Sequence, residues 1–180
     1  SARMVTRMAE EFGNDANVIA WQIDNELYPY SSRGCACDVC QKRFRERLRE
    51  KFGDIATLNS RWDLNLWSQA YQSFEQVPVP HSDTWHHPSL TTEWMVFQSD
   101  SYCEFAAAQS DILHRLARQP VGTDMMPFCG VDYYRMHRTL DLVQFNHYND
   151  TSNLWQAAYW MDWCRPIKDR PFWVTETSTC

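Results

Sequence analysis

Short apolar runs alternate along this chain with segments whose apolar residues recur every three or four positions. Val18 to Asp24 (VIAWQID), Val121 to Met126, Leu142 to Tyr148 (LVQFNHY) and Phe172 to Thr177 (FWVTET) are brief and rich in β-branched and aromatic residues, and they read as buried strands. Between them the spacing is helical. Met4, Met8 and Phe12 predict a helix over residues 1 to 13, ended by Asn14 and Asp15. Phe44, Leu48 and Phe52 share a face of a helix over Asp38 to Phe52, with Gly53 placed to cap it. Ile55 to Trp62 predicts a short helix. Thr91 to Gln119 predicts a long one, with Phe105, Ala108, Ile112 and Leu116 on one stripe and Pro120 as its stop. Asp132 to Thr139 and Asn153 to Lys168 complete the helices. Leu27 to Cys37, with Pro29 and Gly34, and residues 72 to 91, with Pro78 and Pro80, read as loops.

Strands that alternate with helices predict βαβ units and a parallel sheet. Right-handed crossovers then bring every strand's C-terminal end to one rim, where α/β proteins place their chemistry. At that rim the sequence sets Asn25-Glu26, Asp124, His147-Tyr148 and Glu176, while the strand bodies stay mostly apolar.

Composition narrows the function classes. The 180 residues amount to one ordinary domain, and 44% hydrophobic residues suffice for a sizeable core. A formal net charge of −6 argues against a nucleic-acid partner, because phosphate binding needs clustered Lys and Arg. The basic run from Lys42 to Lys51 is interleaved with Glu46 and Glu50 and reads as a solvated helix face. No apolar run approaches the ~20 residues of a membrane span, and no signal peptide is visible, so no membrane partner and a cytoplasmic location are expected. Aromatics reach 14%, with nine Trp, which suits either a sugar-binding cleft or a large core.

Two constellations carry chemistry. Glycoside hydrolysis needs one carboxylic acid to protonate the leaving oxygen and a second carboxylate to attack the anomeric carbon or activate water. Glu26 and Glu176, on different strand ends, could be such a pair, although a Glu at a strand end also serves as a loop salt-bridge partner. The seven cysteines are unevenly placed: Cys103, Cys129, Cys164 and Cys180 are scattered, while Cys35, Cys37 and Cys40 lie within six residues. An odd count with a tight cluster points to a metal site or to free thiols rather than to a disulfide framework. Zn²⁺ takes four ligands in a tetrahedron, and clustered Cys ligands mark structural rather than catalytic sites. His81, His86 and His87 are weaker candidates for a further ligand, and surface histidines are the plain reading for them.

Trp21-Gln-Ile-Asp-Asn-Glu26 resembles the acid/base strand of the large clan of (β/α)8 glycosidases, and Ile19 to Glu26 is close to the form it takes in glycoside hydrolase family 42. Phe44 to Trp67, Gln69-Ala70-Tyr71, Val121 to Met126 and Asp141 to Tyr148 are similar to later stretches of that family, so the resemblance covers nearly the whole chain. Asp124 and Met125 depart from the usual Asn and Phe of its fifth strand, which puts a substrate role at Asp124 in doubt.

The resemblance implies a retaining β-galactosidase acting on a β-galactoside substrate, frequently a trimer. It implies an α/β fold in which residues 1 to 180 form part of one catalytic (β/α)8 barrel, roughly strands four to seven with their helices. A full barrel takes ~250 residues, so the chain is expected to be an internal fragment, inactive alone. It implies Glu26 as general acid/base, Glu176 as nucleophile, Asn25 as a donor to the sugar 2-hydroxyl, and Tyr148 as the group that orients the nucleophile. It also implies structural Zn²⁺ on Cys35, Cys37 and Cys40, with the fourth ligand outside this chain or supplied by water.

Two rivals stand beside this reading. One is another retaining β-glycosidase of the same clan, acting on glucosides, xylosides or arabinosides. The other is a zinc-stabilised binding module, which would need the cysteine loop but neither Glu. Whether the two Glu carboxyls face each other, at the ~5 Å that retention requires, discriminates the enzymes from the module.

Overall fold

A computed structural model describes residues 1–29, 34–80, 83–126, 130–148 and 152–178. They fall into two compact units, one of Ser1–Tyr28 with Ser99–Cys180 and one of Pro29–Gln98.

The first unit is α/β. Helix α1 (Ala2–Phe12) precedes strand β1 (Trp21–Gln22). Then follow β2 (Val121–Gly122), β3 (Asp124–Met125), α5 (Tyr133–Met136), β4 (Gln144–His147), α6 (Leu154–Cys164) and β5 (Trp173–Thr177). Every strand pairing is parallel, with β1 on β2 and β3 on β4 on β5. The segment read as one strand from Val121 to Met126 is interrupted at Thr123. Its first half pairs with β1 and its second half with β4, so it links the two short ladders. Thr123 turns its hydroxyl to Ile23 O at 2.7 Å. Strands β2, β3 and β4 are buried throughout, as befits parallel strands covered on both faces. Val121, Met125, Val143, Phe145, Tyr133, Met136 and Leu140 centre the core there.

The second unit is helical. Helix α2 (Asp38–Phe52) ends at Gly53, whose φ of 78° only glycine adopts freely and whose N–H closes on Arg49 O at 2.9 Å. Helix α3 (Ile55–Arg61) is capped by Asp54, which accepts from Thr57 N at 2.7 Å. The long helix α4 (Pro88–Leu116) gives its first part to this unit and the rest to the other. Phe44, Leu48, Leu58, Leu64, Val77 and Leu90 are fully buried here. Phe44 meets the rings of Trp94 and Phe97 at 5.0 and 5.5 Å. Phe44→Ala removes the piece both rings pack against, so it should lower unfolding free energy by about 3–5 kcal/mol, measured by denaturant titration with unchanged slope.

Several sequence expectations need correction. β1 is confined to Trp21–Gln22, and Ile19 is 75% exposed rather than part of a buried strand. Helix α4 begins at Pro88, at whose first-turn position proline is at home, and stops at Leu116. Its buried face is Cys103, Ala106, Ser110 and Leu113, whereas Phe105, Ala108 and Leu116 of the expected stripe are exposed. The last predicted helix ends at Cys164 and passes into a 3-10 turn, Arg165–Ile167. Met4, Met8 and Phe12 do line one face of α1, and that face is exposed. Among the described residues no helix is long and apolar enough to cross a membrane.

Candidate active site

Just past β1 the backbone leaves the extended region. Asp24 and Glu26 take left-handed φ angles of 51° and 48°. A side chain in that region costs on the order of 1 kcal/mol, and such strain persists only where the surroundings over-determine it. Three contacts do so here. Gln109 on α4 donates its amide to Asp24 Oδ2, Thr123 holds Ile23 O, and Asp124 Oδ1 accepts the Glu26 N–H at 2.9 Å. The Glu26 side chain is thereby fixed at the strand end instead of following the strand.

On β4 the period of two sorts the side chains. Phe145 and His147 go to one side, their rings 5.9 Å apart, and both are buried. Asn146 and Tyr148 go to the other. His147, expected at the polar rim, is thus packed against the core. Asn146 Nδ2 donates to Glu26 Oε1 at 3.0 Å and to Asp124 Oδ2 at 2.9 Å. Its own oxygen takes the Thr175 hydroxyl at 3.0 Å, which fixes which way the amide points. The parallel register sets Asn146 opposite Glu176 on β5. The Tyr148 hydroxyl donates to Glu176 Oε2. With its amide turned to donate, Asn25 Nδ2 lies 3.1 Å from Asp124 Oδ2 and 3.3 Å from Glu176 Oε1.

Glu26, Asn146, Asp124, Asn25, Glu176 and Tyr148 therefore form one continuous hydrogen-bonded chain across the ends of the strands. The four residues expected from the sequence (Glu26, Glu176, Asn25 and Tyr148) are all in it. Asn146, Thr175 and the central place of Asp124 were not foreseen. Asp124 is wholly buried, and burial, with the nearby Glu176 charge, pushes its carboxyl above the ordinary range against the bonds from Glu26 N and Asn146. The bond to Glu176 pushes the Tyr148 phenol up to about 12, so it remains a proton donor across the neutral range.

The second constellation lies in the other unit. The Cys35, Cys37 and Cys40 sulfurs all lie within 4.8 Å of one another. A tetrahedron with Zn–S bonds of ~2.3 Å has edges of about 3.8 Å, so three thiolates so placed can close on one ion with small adjustments. Cys37 is the residue from which α2 starts, and the Cys40 backbone N–H draws its thiol below the usual range. Burial and the two neighbouring sulfurs push Cys40 up to about 12. Three thiols crowded together resist joint ionisation, and a bound cation relieves this. The Cys35 peptide is clamped by Gln98, which accepts from Cys35 N and donates to Cys35 O, both at 3.2 Å. Gly34, at φ 63°, makes room: a Cβ there would sit 2.2 Å from Gln98 Oε1. Among the described residues no histidine joins the cluster. His87 Nδ1 instead accepts from Ser89 N at 3.2 Å, near the start of α4. His81, Cys129 and Cys180 lie outside the described residues. Cys103 and Cys164 are buried free thiols.

Comparison with known proteins gives a concordant picture. The family model of glycoside hydrolase family 42, described as β-galactosidase, matches residues 1–180. The β-galactosidase YesZ of Bacillus licheniformis is 33% identical over 180 residues, covering 98% of this chain and 27% of that protein. The β-galactosidase structure from the Antarctic haloarchaeon Halorubrum lacusprofundi superposes with a TM-score of 0.87 at 31% identity, over 98% of this chain and 29% of that one. The structure from the psychrophilic Marinomonas ef1 gives 0.83 at 26% identity, over 98% and 30%. The chain thus spans about a quarter to a third of the length of these relatives.

Proposed function

The chain belongs to glycoside hydrolase family 42, the β-galactosidases, and from that premise we propose that it carries the catalytic carboxylates of a retaining β-galactosidase. It would be one part of a (β/α)8 barrel, roughly strands four to seven. The observation that carries the reading is that Glu26, in the turn past β1, and Glu176, near the end of β5, belong to one hydrogen-bonded network. A zinc-stabilised module without catalysis has no use for such an arrangement.

In the proposed reaction Glu176 attacks the anomeric carbon as Glu26 gives its proton to the leaving oxygen, which forms a covalent galactosyl ester. Glu26 then takes a proton from water. That water attacks from the face the leaving group vacated, and the configuration is retained. Tyr148 and Asn25 each hold one oxygen of Glu176, which aims the carboxylate. By the family resemblance, Asn25 would also donate to the sugar 2-hydroxyl once substrate is bound. The test is proton NMR of the first sugar released by the full-length enzyme. β-Galactose should appear first and mutarotate later, and immediate α-galactose would sink retention. Aryl β-galactoside should be cleaved faster than the matching glucoside, xyloside or arabinoside, and the opposite order would reassign the sugar.

We further propose that Cys35, Cys37 and Cys40 hold a structural Zn²⁺, with the fourth ligand outside this chain. The ion would tie the loop to the start of α2 and take no part in the chemistry. Full-length enzyme purified without chelator should contain about one zinc per chain, and Cys37→Ser should reduce it. Metal-free enzyme of full stability would overturn this proposal. The five described cysteines, all free thiols, suit a cytoplasmic enzyme. A trimer of full-length chains completes the reading.

A further inference from the structure

The reading above uses Glu26 and Glu176 but gives no work to the carboxyl between them. We infer that Asp124 is a positioning residue, a buried third carboxyl that holds both catalytic side chains in place through the amides of Asn146 and Asn25. The inference rests on the assignment of Glu26 and Glu176 as the reacting pair.

Asp124 is fully buried, and both of its oxygens are occupied. Oδ1 takes the backbone N–H of Glu26 at 2.9 Å and so anchors the left-handed turn that presents the acid/base. Oδ2 takes one hydrogen of the Asn146 amide at 2.9 Å, and the other hydrogen of that amide goes to Glu26 Oε1 at 3.0 Å. Oδ2 also faces the Asn25 amide at 3.1 Å, whose remaining hydrogen points to Glu176 Oε1 at 3.3 Å. Each amide bridges Asp124 to one Glu, so the position and orientation of both carboxylates pass through a single side chain. The two carboxylate oxygens facing Nδ2 keep the Asn146 amide from turning over, and its oxygen takes the Thr175 hydroxyl.

An asparagine at this position cannot reproduce the arrangement, because it offers one oxygen and an NH₂ where the aspartate offers two oxygens. With its oxygen toward the amides, its NH₂ would oppose the Glu26 N–H and release the turn. With its oxygen toward Glu26 N, its NH₂ would oppose the two bridging amides. They would then have to turn over and point their oxygens at Glu26 and Glu176. The charge matters as well as the shape. The ionisable groups gathered around Asp124 are Glu26 from the β1 end, Glu176 on β5 and Tyr148 past β4. Asp124→Asn takes away the carboxyl that faces all three.

The test uses the full-length enzyme carrying Asp124→Asn, assayed with β-galactosides of graded leaving-group ability and across pH, beside Glu26→Ala and Glu176→Ala. Misplaced catalytic groups should lower kcat about 10- to 100-fold for poor leaving groups and less for activated aryl groups, with KM nearly unchanged. Both limbs of the pH profile should move to lower pH. Folded Asp124→Asn with wild-type kcat and pH limbs would overturn the inference. So would an equal loss for every leaving group with unmoved limbs, which marks a general structural defect. Should Asp124→Asn yield no folded protein, Asn146→Ala carries the test. It leaves Asp124 and its bond to Glu26 N in place and cuts only the bridge to the Glu26 carboxyl, so the same leaving-group-dependent loss is expected and an unchanged kcat would overturn the inference. If Glu26→Ala and Glu176→Ala stay active, the assignment of the pair fails. If they are inactive while Asp124→Asn is normal, the positioning role alone fails.

Discussion

Glu176→Ala in the full-length enzyme should abolish turnover of every β-galactoside, by on the order of 10⁴-fold or more, because no covalent intermediate forms without the attacking carboxylate. Glu26→Ala should behave differently. Loss of a general acid costs roughly 10²- to 10⁴-fold where the leaving group needs its proton. An activated aryl leaving group departs with little help, so its first step should survive. The galactosyl ester on Glu176 should then accumulate, since no base is left to draw water onto it. Added azide needs no such base. It should restore turnover and give β-galactosyl azide. The α-azide from Glu26→Ala, or the β-azide from Glu176→Ala, would mean that the two roles are exchanged. Near-normal activity of both alanine variants on all substrates would remove the catalytic assignment.

The second large effect concerns residues 1 to 180 expressed alone. They should show no galactosidase turnover, and they should bind hydrophobic dye and self-associate. Among the described residues β1 pairs only with β2 and β5 only with β4, so both outer edges offer unpaired backbone groups. Met4, Met8 and Phe12 on α1 and Leu154, Trp155 and Tyr159 on α6 are 44–67% exposed. Trp173 and Val174 on β5 are 37% and 39% exposed, unusual for a strand of a parallel sheet. The relatives are three to four times longer, in keeping with a barrel whose other units cover these surfaces. A monodisperse, monomeric 180-residue chain with turnover would contradict both the exposure argument and the part-barrel reading.

Much of this was legible in the sequence because strands and rim residues leave a clear pattern. The four apolar runs do contain the strands, and Tyr148 and Glu176 lie at the C-terminal ends of β4 and β5, whereas Glu26 lies four residues past β1 and Asp124 opens β3. Other features were hidden for physical reasons. The later part of helix α4 packs through Ala106, Gln109 and Ser110 beside Ile112 and Leu113, while the bulky Phe105 and Leu116 stay outside. A search for large apolar residues at helical spacing therefore selects the wrong face. Gln98, Ser99 and Gln109 look like solvent-facing positions, yet they are buried because they clamp the Cys35 peptide, Asp132 N and Asp24. Asn146 is one of three polar residues, with Gln144 and His147, in the run LVQFNHY, and nothing local singles it out. Its place opposite Glu176 depends on strand register, which no single segment contains. The turn was equally hidden, since Asp tolerates a left-handed backbone without requiring it and Glu26 gives no such signal.

That turn has a practical consequence for anyone wishing to capture a substrate complex. Glu26 sits where glycine would be at ease, so the choice of inactivating substitution is not neutral. Alanine removes the carboxylate and keeps the Cβ that the backbone resists. Glycine removes both and leaves the N–H of residue 26 free to keep its bond to Asp124. The glycine variant should therefore melt higher than the alanine variant, and its relaxed loop makes it the better crystallisation background. On the proposed assignment, keeping a bulky acid at this point exchanges thermal robustness for reactivity.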